Sequence, residues 1–161
     1  MTADLPPASA PLRWARRIGV LAATAWAGSL WGVGFLAVPV LFHALPDKME
    51  AGMLAGEMFT LVAYVGMACG ACLLLLQGAE FGRRAWRQPL FLIVSAMLLL
   101  ALAGQFGLQP EMADLKAQAL PDDVMQSPFA AQFDLLHKIA TALYSAQSLL
   151  AIALVLKPRH C

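Results

Sequence analysis

Four long apolar segments follow one another along the chain and predict four membrane-spanning helices. The first, Ile18 to Phe42, contains no Asp, Glu, Lys, Arg, His, Asn or Gln. At about 1.5 Å per residue this segment exceeds the roughly 30 Å hydrocarbon core of a bilayer. The four predicted spans cover about 18–43, 49–78, 89–108 and 129–157. The predicted fold class is therefore all-α, a polytopic membrane protein with four transmembrane helices in a bundle.

The segments outside these spans define the predicted domain organisation. Residues 1–12 are rich in Pro and Ala and predict a disordered tail, which leaves 13–161 as a single transmembrane domain. A signal peptide is the alternative for the first apolar segment, but that segment is longer than the 7–15 residues typical of a signal peptide's apolar region. The longest connection, 109–127, is polar and can form a helical turn or two before Pro121.

Composition and charge narrow the class and predict an orientation. Hydrophobic residues make up 60% of the chain and charged residues 13%, with a net charge of +1, so no basic face for nucleic acid is expected. Basic residues gather before span 1, between spans 2 and 3, and after span 4. The positive-inside rule then predicts that both termini face the cytoplasm. The expected location is a membrane, where the lipid bilayer is the first partner.

Small residues and one proline predict how the helices pack. Three glycine pairs have a spacing of four residues, which lets another helix approach one face closely. Such faces serve packing within the bundle or a homo-oligomer. Pro39 is predicted to kink the first helix and to free the carbonyl of Phe35. The three pairs are Gly28 with Gly32, Gly52 with Gly56, and Gly66 with Gly70.

Several ionisable residues are predicted to share one depth near the outer face. Counting about 20 residues outward from the cytoplasmic end of each span gives this level. Carboxylates and imidazoles at one level are candidate ligands for a divalent metal, or a proton relay. The alternative is that polar residues lie where span ends tolerate them, with Glu57 and Lys138 as a structural ion pair. The candidate ligands are His43, Glu57, Asp134 and His137.

Sulfur-containing residues add weaker signals. Met49 and Met53 are four residues apart at the outer start of span 2, and thioethers with histidine suit copper, although Met also fills gaps in apolar packing. Cys69 and Cys72 form a CxxC motif inside an apolar helix, which favours packing over redox chemistry because no cation lies nearby in sequence to stabilise a thiolate. No catalytic motif is present, so a non-enzymatic protein is favoured.

Nearly all of the chain after the tail resembles a known family. The residues that carry the resemblance are Trp26 to Trp31, Gly34, Pro39 with Leu41 and Phe42, the glycines at 52 and 56 with Phe59, and then Pro110 to Met112 and Phe133 to His137. They resemble domain-of-unknown-function family 4149, bacterial membrane proteins akin to the eukaryotic transmembrane protein 205. The resemblance implies a four-helix inner-membrane protein whose activity is not established.

A looser likeness, W-x-G-x-x-W followed by Pro and Phe, is to the copper resistance protein D group and to the membrane protoporphyrinogen oxidase. The chain lacks a histidine before the tryptophan motif in its first helix. Two hypotheses result. In the first, a non-enzymatic protein binds or handles a cation, possibly copper, at the outer face. In the second, the protein is a heme-dependent oxidoreductase with His137 as axial ligand.

Overall fold

The computed structural model describes residues 10–157, and this part of the chain is helical throughout, without a strand. Two of the four long helices change from α- to π-helical geometry and back, and 3-10 turns follow the second long helix and precede the fourth. Most of the predicted tail, residues 1–9, lies outside the described residues, as do residues 158–161. The α-helices are α1 (Ala10–Trp31), α2 (Val38–Ala44), α3 (Lys48–Phe81), α4 (Pro89–Leu102), α5 (Gln109–Ala119) and α6 (Ala130–Leu156).

Four helical segments among residues 10–157 are long and apolar enough to cross a membrane. Their mean hydropathy lies between 1.6 and 2.2. This finding confirms the all-α expectation and the number of long apolar helices. The four segments are Arg13–Ala44, Lys48–Arg87, Pro89–Ala119 and Ala130–Leu156.

The helices form a ring of antiparallel neighbours. The helix α1 packs on α3, α3 on α4, α4 on α6, and α6 back on α1, which is the arrangement expected of sequential helices joined by short connections. One end of this bundle holds the start of α1, the α3–α4 connection and the end of α6, and is called the arginine end. The other holds α2, the start of α3, α5 and the start of α6, and is called the acidic end.

The centre of the bundle is organised around one tryptophan. The side chain of Trp26 in α1 is completely buried and lies against Gly66 and Gly70 of α3. A Cβ atom at Gly66 would overlap the indole Nε1, and one at Gly70 would lie 3.0 Å from the indole ring. Leu30, Val94, Met97 and Leu154 complete this core. Since lipid gives helices no hydrophobic reason to associate, close packing of this kind stabilises the bundle.

The other glycine pairs predicted to be packing faces differ from this one. A Cβ atom at Gly28, Gly32, Gly52 or Gly56 would meet nothing within 4 Å. Among the three pairs, only Gly66 and Gly70 have a neighbour at the position that a Cβ atom would occupy, and the nearest such neighbour is the Trp26 side chain rather than a helix backbone.

Pro39 and Pro110, toward the acidic end of the first and third long helices, each follow a π-helical segment. Gly32–Ala37 precedes α2, which has Pro39 in its first turn, and Ala103–Leu108 precedes α5, which has Pro110 there. In an α-helix the proline ring clashes with the carbonyl four residues earlier. The wider π-helical turn avoids this, and the Val38 N–H accordingly bonds the carbonyl of Val33, five residues back. At Pro39, where the sequence predicts a kink, the structure shows a local widening of the helix.

The predicted polar connection 109–127 is shorter than expected, because helical structure continues to Ala119. Met112, Leu115 and Ala119 are spaced three and four residues apart, so they share one face of α5, and all three are buried. Together Leu115, Ala119 and Val124 form a small apolar cluster, against which the start of α6 packs with Phe129, Phe133 and Leu136. The burial of this apolar face therefore accounts for a helix in a segment whose composition is mostly polar.

Candidate cation site at the acidic end

The carboxylate of Asp134 already has a cationic neighbour. Its Oδ2 lies 2.7 Å from Nζ of Lys138, one turn later in α6. The side chains are 43% and 72% exposed respectively, so this pair contributes little to stability on its own. A metal ion that binds Oδ2 of Asp134 competes with Lys138 for it.

The imidazole of His137 lies on the exposed side of α6 next to an aromatic ring. Its plane is nearly parallel to that of Phe133, at 14°, with the ring centroids 6.1 Å apart. Phe133 packs into the apolar cluster formed with α5, so the ring against which His137 stacks is itself held in place. Asp134 and His137, three residues apart, share one face of α6 as predicted.

The other two predicted ligands come from different helices. His43 lies near the end of α2 and Glu57 lies in the third turn of α3, and both residues are exposed. In residues 10–157, no three His, Cys, Asp or Glu side chains come close enough together to hold a metal ion. The predicted metal site of His43, Glu57, Asp134 and His137 is therefore an open hypothesis without a preformed ligand cage. The predicted ion pair of Glu57 with Lys138 is replaced by the pair of Lys138 with Asp134.

Lys116 is a residue whose position the sequence did not indicate. It extends from α5 between two other helices, where its Nζ donates to the carbonyl oxygen of Gly52 in α3 at 3.2 Å. The same ammonium group lies 5.6 Å from the ring centroid of Phe133 in α6, within the range of a cation–π interaction. One side chain therefore connects three helices. The sequence predicted only a helical turn or two in this connection, and the neighbouring Leu115 was the one signal that this part of it packs against the bundle.

Gln109 also donates a hydrogen bond to a glycine carbonyl of α3, that of Gly56, one turn after Gly52. Its Nε2 donates to the carbonyl oxygen of Gly56 at 3.4 Å and to Oγ1 of Thr60 at 3.3 Å. Glycine leaves these helix carbonyls uncovered, since no Cβ shields them. The pair Gly52 and Gly56, predicted as a packing face, thus presents two acceptors to donors from the third span.

A tyrosine joins α6 to the π-helical segment of the first span. The hydroxyl of Tyr144 donates to the carbonyl of Leu30, and its ring covers Gly34, where a Cβ atom would lie 2.5 Å from the ring. Phe59 of α3 meets the same ring edge to face, with centroids 5.0 Å apart. Gly34 is therefore needed for this contact, which fixes α6 against the widened turn.

The CxxC motif lies inside α3, away from the acidic end. Cys69 and Cys72 are both free and partly buried, and Cys69 packs against the Trp26 core. This position agrees with the packing interpretation of the motif.

The long apolar helices and their packing define the class of protein. Four helices able to cross a bilayer, in one bundle, make the chain a multi-pass integral membrane protein. The sequence model of a family described as Domain of unknown function (DUF4149) matches residues 21–121. The chain belongs to that family. Neither a curated protein nor a solved structure matches it.

Proposed function

We propose that this protein is a non-enzymatic component of the bacterial inner membrane that gathers a cation at its acidic end, with copper among the candidates. The proposal also assigns the arginine end, and with it both termini, to the cytoplasm by the positive-inside rule. Membership of the family adds no activity to this proposal, because the family is described only as a domain of unknown function.

The main support for cation binding is the unequal distribution of charge between the two ends of the bundle. Residues 10–157 carry eight carboxylates and three lysines at the acidic end, against seven basic residues and Glu80 at the arginine end. A surface with such an excess of carboxylates raises the local concentration of cations. The eight acids are Asp47, Glu50, Glu57, Glu111, Asp114, Asp122, Asp123 and Asp134.

The mode of binding that fits this arrangement is an open and exchangeable site. His137 offers an imidazole on the exposed face of α6, and Asp134 on the same face offers a carboxylate that Lys138 can release. His43 and Glu57 are the further ligands that the proposal includes. Imidazole and carboxylate together suit zinc or copper(II). An open site suits a protein that takes up a cation and passes it on.

The heme alternative, in which His137 is an axial ligand, has no specific observation in its favour. His137 is exposed and lies beside Phe133, whereas an axial ligand faces a pocket that encloses the macrocycle. The proposal therefore stays with cation binding.

Metal titration of the purified full chain in detergent tests this function. With zinc or copper(II) as the probe, His137→Ala is expected to lower the affinity at least tenfold, because even outer-shell partners of metal ligands contribute this much. Gln132→Ala is the matched control, an exposed polar residue on the same helix. Equal affinities of wild type and His137→Ala would remove His137 from the site.

We also infer a homo-oligomer through the first helix. At Gly28 and Gly32 a Cβ atom would meet nothing within 4 Å. Unlike those of Gly52 and Gly56, the carbonyls of this pair accept no hydrogen bond from a side chain among the described contacts. Helices that pack through small residues at a spacing of four approach each other closely in lipid. A second copy of the chain fits this face.

A further inference from the structure

The hydroxyl of Tyr144 occupies a place in the first span that normally belongs to a hydrogen bond of the helix itself. It donates to the carbonyl of Leu30, and it accepts from the backbone N–H of Gly34. In an α-helix these two backbone groups, four residues apart, would bond each other. The tyrosine oxygen therefore lies between two groups of one helical turn and bonds to both.

This insertion coincides with the start of the wide, π-helical turn Gly32–Ala37. A side chain that enters the ladder of backbone hydrogen bonds is one of the identified causes of a helix distortion. Beyond the insertion each bond spans one residue more, since the N–H of Val38 bonds the carbonyl of Val33. One extra residue in a turn rotates the following helix by about 100° relative to a continuous α-helix. The wide turn therefore sets the rotation of α2 about its axis.

The ring of Tyr144 is fixed from two sides, which keeps its hydroxyl at the wide turn. On one side is Gly34, where a Cβ atom would lie 2.5 Å from the ring and 2.7 Å from the hydroxyl oxygen. On the other side Phe59 of α3 meets the ring edge to face, with the centroids 5.0 Å apart. Because these ring contacts do not involve the hydroxyl hydrogen bonds, Tyr144→Phe removes the inserted group and leaves the packing in place.

The wide turn of the third span, Ala103–Leu108, has no such insertion among the described contacts. A Cβ atom at Gly104 or Gly107 would meet nothing within 4 Å, and Pro110 follows this turn. A proline is therefore a second cause of a wide turn, because its ring clashes with the carbonyl four residues earlier in α-helical spacing. The first span has both causes, the tyrosine hydroxyl and Pro39. A test has to separate them.

We propose that the Tyr144 hydroxyl is a register lock, which holds the first span in its wide turn and so fixes the rotation of α2. Without the hydroxyl, the Leu30 carbonyl and the Gly34 N–H bond each other directly. The turn then returns to α-helical spacing, and α2 rotates by about 100°. Since α2 carries His43, Tyr144 is also a positioning residue for that ligand, a consequence that rests on the cation proposal. The lock itself needs no cation.

Distances between two spin labels, measured by pulsed electron paramagnetic resonance on the full chain in nanodiscs, test the lock. The reporting pair is Val40→Cys in α2 with Leu61→Cys in α3, at positions that are both 65% exposed, in a chain whose own cysteines are replaced by alanine. The matched control pair is Leu21→Cys with Leu75→Cys, two exposed positions that lie before the wide turn and on α3. A chelator is present throughout, so the lock holds or fails independently of cation binding.

Two variants separate the hydroxyl from the proline. Pro39→Ala keeps the lock and is expected to keep the wild-type distance between the labels at 40 and 61. Pro39→Ala with Tyr144→Phe removes both causes and is expected to shift this distance by on the order of 5 Å, since a rotation of about 100° moves a side chain that far around the helix axis. The distance of the control pair is expected to stay the same. The proposal is overturned if Pro39→Ala alone shifts the reporting distance, if the double variant keeps it, or if both pairs change together.

Discussion

The middle of the bundle and its acidic end both use a glycine pair on α3, and they use it for different contacts. In the middle, Gly66 and Gly70 make room for the indole of Trp26, which is completely buried. At the acidic end, Gly52 and Gly56 leave their carbonyls open to donors from Lys116 and Gln109. Glycine spacing by itself therefore does not reveal whether a helix face accepts an apolar ring or a polar donor.

The two regions also differ in what surrounds them. The Trp26 region is a continuous apolar core to which all four long helices contribute. The acidic end combines polar donors, a separate small apolar cluster and exposed ionisable residues. We interpret the middle as the part that stabilises the bundle and the acidic end as the part that binds a ligand.

The largest effect is expected where the glycine pair meets Trp26. Gly66→Ala places a methyl group against the indole Nε1 inside a packed core, and such overpacking costs about 1–3 kcal/mol. Unfolding in mixed micelles measures this loss. Gly78→Ala is the matched control, since its Cβ meets nothing within 4 Å and it lies on the same helix outside the proposed dimer face. If the two variants unfold alike, the Trp26 contact is not what stabilises the middle.

A smaller effect is expected where Lys116 joins three helices. Lys116→Met removes the hydrogen bond to the Gly52 carbonyl and the contact with Phe133, a loss of roughly 1–2 kcal/mol. The amides of α5 are expected to exchange hydrogen faster, while those around Trp26 stay protected. Gln118→Met, an exposed residue of the same helix, is the control. Unchanged exchange in α5 would show that Lys116 does not hold this end together.

The smallest effect on folding is expected at Gly28 and Gly32, the pair with open space at both Cβ positions. Gly28→Ile leaves the free energy of unfolding of one chain within about 0.5 kcal/mol, as for other exposed substitutions, yet it blocks close approach of a second copy. Light scattering of the detergent complex is expected to show a dimer for wild type and a monomer for this variant. Gly78→Ile, also with open space at Cβ, is expected to remain dimeric. A monomeric wild-type chain would refute the oligomer.

Hydropathy alone was enough to predict the number of long helices, because each apolar segment is longer than a bilayer core requires. It did not predict the length of α5. There the apolar positions Met112, Leu115 and Ala119 are few, and polar neighbours hide their periodicity. Leu115 and Ala119 are buried by packing in the cluster with Phe129 and Phe133 of the next segment, and a tertiary contact of this kind cannot be obtained from the local pattern.

The residue types of the candidate site could be predicted from the sequence, but its geometry could be predicted only in part. Counting residues from the span ends gave a common level for His43, Glu57, Asp134 and His137, but a level does not fix rotation about each helix axis. The position of Lys138 next to Asp134 follows from their spacing of four. The positions of Lys116 and Gln109 follow from α5 being a full helix from Gln109 to Ala119, whereas the sequence indicated only a helical turn or two.

The cation proposal is tested most directly by two substitutions that act on the same carboxylate in opposite directions. Asp134→Asn removes a proposed ligand, whereas Lys138→Gln removes the ammonium group that occupies it at 2.7 Å. In a zinc titration of the purified chain, Asp134→Asn is expected to weaken binding. Lys138→Gln is expected to strengthen it on the order of a few-fold, since exposed ion pairs of this spacing are weak. Affinities that are the same in wild type and both variants would contradict a cation site at Asp134 and His137.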